Sequence, residues 1–148
     1  MAAAQFVGRL YRSIRREPDV AFLALRMTCW VIVISSMARL CSIPRLFKLA
    51  TPVTRGLFHS EERLAPTRLA AVVDAILRTN VAVLTPTCWK RAAILYRYLR
   101  LAGHAPHIVF GLTKAGDPPL AGHAWIEMDG RPMFEVTPPD FVEIYRFP

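Results

Sequence analysis

The sequence predicts an α+β chain in which an N-terminal helical region precedes one more helix and a small antiparallel sheet. Three observations carry that expectation. Apolar residues recur at helical spacing through the first two thirds of the chain, and short apolar runs separated by turn residues fill the last third. The hydrophobic share of 53%, against 20% charged residues, is that of a chain that folds. The expected division is a basic, apolar helical region over residues 1–63 and a core domain over residues 64–148.

Residues 5–16 (QFVGRLYRSIRR) set Phe6, Leu10 and Ile14 four apart with arginines between, a short amphipathic helix with a basic face. Glu17-Pro18 ends it, because a residue before proline is pushed out of the helical region. Asp19 then caps an apolar helix that is expected to stop near Ser42-Ile43-Pro44. Within it, VAFLALRMTCWVIVISSMA is interrupted only by Arg26. The uncharged part, Met27 to Ala38, falls short of the roughly 20 residues a membrane span needs. A buried helix is therefore expected, with a membrane-lying helix between basic flanks as the other reading. Pro52, Gly56 and Pro66 punctuate a connecting stretch of short helical turns, and a further helix is expected from Thr67 to Thr79.

The second half begins with Thr85-Pro86-Thr87, a helix-start signal in which a hydroxyl can accept backbone N–H bonds. CWKRAAILYRYLRLAG is the helix behind it, closing at Gly103. PHIVFGL (106–112) and GHAWIEM (122–128) are strands, Asp129-Gly130 is a hairpin turn, and Pro132 to Val136 is a third strand.

The net charge of +8 would suit nucleic acid, anionic lipid or an acidic peptide, but its distribution narrows the choice. Arg9, Arg12, Arg15, Arg16, Arg26, Arg39, Arg45 and Lys48 face only Glu17 and Asp19 in the first 48 residues. No zinc-finger spacing, aromatic-basic RNA motif or heptad basic region accompanies them, so no nucleic-acid partner is expected. Cys29, Cys41 and Cys88 form neither a CxxC pair nor an even-numbered framework, which points to free thiols in a reducing cytoplasm. Cys29 and Cys41 read as core residues of apolar helices.

Cys88 is placed for chemistry. A thiol becomes a useful nucleophile when its pKa falls from about 8.5 towards neutrality, through a helix N-terminus or a neighbouring imidazolium. Cys88 opens its helix, where its backbone amide could form half of an oxyanion hole, with Thr85, Thr87 or Asn80 as the second donor. His123 lies on the second strand, sharing a face with Trp125 while Ala124 and Ile126 take the other. A strand crossing the N-terminus of the Cys88 helix would bring imidazole to sulfur.

The segments TPTCWKRAAILYRYLRLAG, PHIVFGL and AGHAWIEMDGRP resemble the leader peptidases of bacterial lasso-peptide biosynthesis, which are transglutaminase-like with papain-like chemistry. The resemblance covers roughly Leu64 to Val136, and GHAW…E.DGRP is its most specific part. It implies a minimal transglutaminase/papain-like core and a Cys-His-acid triad with Cys88 as nucleophile and His123 as base. It also implies removal of the leader from a ribosomally made precursor, with no metal or organic cofactor. The implied partners are the precursor's leader, a separate leader-recognition protein and an ATP-dependent lasso cyclase. Amine transfer on the same triad, and a non-catalytic binding or membrane-surface protein, are the competing functions.

The family's aspartate is replaced by Glu135, twelve residues after His123. A two-residue turn at Asp129-Gly130 would set His123 opposite Val136 and put Glu135 on the face of Ala124. A bulge or a longer turn would return it to the histidine, and Asp140 is the alternative acid. Trp89 and Trp125 are candidate substrate-groove walls, with Tyr96 and Tyr98 as core. His104 and His107 lack partners at metal-ligand spacing, and His59 beside Glu61 and Glu62 reads as a solvated loop residue.

Overall fold

Helix α1, Pro18–Met37, buries Leu23, Met27, Val31 and Ile34, a stripe of one residue per turn packed against the helices that follow. The computed structural model describes residues 18–53, 64–80, 84–113, 121–135 and 141–148, so the helix expected over 5–16 and the loop with His59 lie outside the described residues. The buried-helix reading holds for only one side of α1. Phe22, Leu25, Ile32 and Val33 are exposed. Cys29, expected in the core, is exposed as well, and Cys41 is half-buried. Position 29 falls opposite the buried stripe, which composition alone does not reveal.

α1 also ends sooner than expected. A turn over Ala38–Cys41, closed by the Cys41 N–H on the Met37 carbonyl at 2.8 Å, separates it from α2, Ile43–Ala50. Pro44 opens α2 instead of ending α1, since a first-turn proline forfeits no helical hydrogen bond. The same logic starts α3, Pro66–Leu77, at its proline. Helix α4, Cys88–Leu101, is the centre of the molecule: Ala92 to Tyr96, Tyr98 and Leu99 are buried against α1, α2 and α3 on one side and the sheet on the other. Gly103, at φ +87°, closes it as expected, with the His104 N–H on the Leu99 carbonyl.

The sheet is antiparallel in the order β3-β2-β1-β4, from β1 (His107–Leu112), β2 (Gly122–Met128), β3 (Arg131–Met133) and β4 (Val142–Phe147). Ala124 and Ile126 of β2 belong to the core shared with α4. The turn between β2 and β3 is the expected two-residue one, with Asp129 and Gly130 at φ +52° and +70°. The third strand is shorter than expected, stopping at Met133. β4 was not anticipated. It pairs with β1 through a register shift at Phe110/Gly111, and its Phe147 packs on Phe47 and Tyr96, whose hydroxyl donates to the Pro148 carbonyl at 2.6 Å. Among the described residues the architecture is four helices and a four-stranded antiparallel sheet, so the α+β class is the one the sequence predicts, with β4 added to the sheet.

Candidate active site

The site is built where the N-terminus of α4 meets the end of the hairpin. Cys88 is the first residue of α4, half-buried, and it lines an open cleft of about 370 Å³ with Thr87, Pro86, Leu77, Arg78, Asp74 and Arg91. The thiol is therefore accessible and sits where unsatisfied backbone N–H groups and the helix dipole favour negative charge. Thr87 occupies the cap position with extended backbone, and its carbonyl accepts from the Arg91 N–H. Its hydroxyl does not cap the helix, contrary to the reading of Thr85-Pro86-Thr87. Instead Thr87 Oγ1 is buried without a hydrogen-bond partner among the described residues. Of the other candidate donors, Thr85 holds the buried Lys90, whose Nζ donates to its hydroxyl (3.2 Å) and carbonyl (3.3 Å). Burial lowers the Lys90 pKa below the usual lysine value. Asn80, three residues beyond α3, is exposed, at φ +49°.

The decisive contact is between His123 and Glu135. His123 Nε2 lies 3.3 Å from Glu135 Oε2, both side chains about three-quarters buried or more. The two-residue turn does pair Met128 with Arg131, Glu127 with Pro132 and Ile126 with Met133. Continued by two steps, that register would set Glu135 opposite Ala124, away from the histidine. The ladder instead breaks at Phe134, which adopts φ +65°. This one left-handed residue releases Glu135 from the strand and lets its carboxylate turn to His123. Asp140, the alternative acid, lies outside the described residues.

Arg91 holds this break together, and neither it nor Asp74 was singled out from the sequence. Arg91 Nη2 donates to the Phe134 carbonyl (3.2 Å) and Nη1 to Glu135 Oε1 (3.4 Å). The same guanidinium forks onto Asp74 of α3, Nε to Oδ1 at 2.7 Å and Nη2 to Oδ2 at 3.2 Å. Burial works against the charge on Arg91, but the hydrogen bond and charge of Asp74, with the charge of Glu135, outweigh it and raise its pKa above the usual value. Arg91 is three residues after Cys88 and so projects from the same side of α4. The sequence of contacts His123–Glu135–Arg91 ties the histidine strand to the cysteine helix within one turn of Cys88. Two signals were available: an arginine at helical spacing from Cys88, and a lone acid inside the apolar run of α3.

The back of the imidazole is aromatic. His123 stacks on Trp125 (centroids 6.0 Å apart, 17° between planes) and on Phe141 (5.4 Å, 29°). Trp125 is buried and donates through Nε1 to Glu127 Oε1 at 3.0 Å, so it backs the histidine and does not form an open groove wall. Trp89 is half-buried beside Cys88. Gly111, opposite His123 on β1, allows this stack: a Cβ there would lie 2.6 Å from Phe141 Cβ and 2.9 Å from Trp125 Cη2. Gly111→Ala is therefore expected to displace the stack and cost about 1–3 kcal/mol of stability. A thermal melt with parallel activity measurement checks this, and unchanged stability and activity would show the crowding to be relieved.

With the Nε2 edge of His123 on Glu135, Nδ1 remains for a proton from a nucleophile, and a carboxylate in this position stabilises an imidazolium. A cysteine at a helix start, an accessible cleft and an acid-oriented histidine are the parts of acyl-transfer chemistry through a thioester. The transglutaminase-like superfamily model matches residues 30–146, from within α1 into β4. No curated protein and no solved structure gives a significant match. With most of its length covered by that model, the chain belongs to the transglutaminase-like superfamily.

Proposed function

We propose that this chain is a cysteine peptidase that removes the leader from a ribosomally made precursor during lasso-peptide maturation. The contact of His123 with Glu135, tied through Arg91 to the helix that Cys88 opens, is the observation that carries the peptidase reading. The substrate class rests on the TPTCW and GHAW…E.DGRP segments and on an open cleft beside the thiol that would admit an extended peptide.

In the proposed reaction His123 takes the proton of Cys88, and the thiolate attacks the carbonyl at the leader–core junction. First-turn amides of α4, beside the cleft that Cys88 lines, receive the oxyanion. The imidazolium then protonates the departing core amine, leaving the leader as a thioester on Cys88. Water, deprotonated by His123, hydrolyses it and frees the thiol. Glu135 holds the imidazole and balances its charge in both half-reactions, while Trp89 borders the leader. The work needs a separate protein to present the leader, and the freed amine passes to the ATP-dependent cyclase.

Mass analysis of products from a synthetic precursor, incubated with the chain and its recognition protein, tests the proposal. Two fragments that together gain one water mark hydrolysis. A crosslink to an added primary amine would mark a transferase instead, and an untouched precursor would remove the peptidase reading.

A further inference from the structure

We propose that the outward face of α1 lies in the plane of an anionic membrane surface and docks the protein there. The inference does not depend on the chemistry at Cys88. α1 is 20 residues long and its most apolar 18-residue window has a mean hydropathy of 1.9, enough by length and composition to cross a membrane. Crossing, however, would remove Leu23, Met27, Val31 and Ile34, each at most 1% exposed, from the core they share with α3 and α4. The opposite side is apolar and exposed: Phe22 51%, Leu25 61%, Ile32 44% and Val33 42%, with Cys29 between them. At about 100° per residue these five positions fall within an arc of roughly 100°, centred opposite the buried stripe. A helix with one face fixed in its own domain and the other apolar lies along an interface and does not span it.

Charge selects the occupant. From Val20 to Ser60 the sequence contains no aspartate or glutamate. Arg39, Arg45 and Lys48 are exposed in the turn after α1 and along α2, among the exposed Leu40, Ile43 and Leu49. Apart from Asp19 in the first turn of α1, one turn from Phe22, these exposed apolar side chains are flanked by cations, which matches lipid phosphates above acyl chains. A second copy docking isologously would bring the same acid-free stretch against itself, cations with no counter-charge.

Sedimentation of the full chain with extruded vesicles tests this. Equimolar phosphatidylglycerol and phosphatidylcholine should carry the protein down at least about tenfold more tightly than phosphatidylcholine alone, and added salt should weaken the binding. Leu25→Glu and Ile32→Glu, on the exposed face, should each lose at least about tenfold while melting as the parent does. A polarity-sensitive dye on Cys29, with Cys41 and Cys88 replaced by serine, should be quenched by headgroup-level and not by bilayer-centre quenchers. Failure to sediment, or equal binding to both vesicles, overturns the proposal. So does deep quenching, which would mean that α1 spans. A lipid-free dimer that Leu25→Glu dissociates would make the face a protein interface and overturn it as well.

Discussion

Cys88→Ala is expected to lower precursor cleavage by at least about 10³-fold while leaving the fold intact. The thiol is the only group of the proposed site that forms a covalent bond to substrate, so nothing else can substitute for it. The structural cost is small, because Cys88 is half-buried at the first position of α4 and alanine suits a helix. A stability change under about 1 kcal/mol by thermal melt, alongside lost cleavage, is the expected pair of results. Residual cleavage near the parent rate would exclude Cys88 as nucleophile whatever the fold. A protein that no longer melts cooperatively would show instead that Cys88 packs.

The second large effect is expected at Glu135. Glu135→Gln keeps the shape and an acceptor for His123 but removes the charge that stabilises an imidazolium and attracts Arg91, and should reduce kcat by about 10²-fold. Asp140→Asn should change kcat less than about threefold; the reverse ranking would transfer the role to Asp140. Arg91→Met tests the support beneath the acid. It removes the donors to the Phe134 carbonyl and to Glu135 while leaving Cys88, His123 and Glu135 in place. A loss of about tenfold in kcat, with Arg91→Lys recovering only part of it, is expected because lysine restores charge without the planar fork. Full recovery by lysine would make the contribution one of charge alone.

The parts that could be read from sequence are those governed by local patterns. Helix α4 with its glycine close, strands β1 and β2, and the Asp129-Gly130 turn follow from spacing and turn chemistry. Cys88 at a helix start and His123 on an alternating strand followed from the same logic. The position of Glu135 did not, because register arithmetic assumes a continued strand, whereas a left-handed Phe134 is a tertiary choice held by a guanidinium from another element. Tertiary packing also decided which side of α1 is buried and left Cys29 outside. β4 carries a weak sequence signal, since VEIYRF breaks alternation at Ile144-Tyr145 and its edge position leaves most of it exposed.

Iodoacetamide labelling of the native protein across pH, read for each cysteine by mass spectrometry, tests the pairing of Cys88 with His123 most directly. Cys29 is exposed on the same chain and supplies the internal comparison. Cys88 is expected to react faster than Cys29 near neutrality, and to slow in His123→Ala. Labelling of Cys88 no faster than Cys29 throughout, or unchanged by His123→Ala, would contradict the thiolate–imidazole pair on which the proposed peptidase stands.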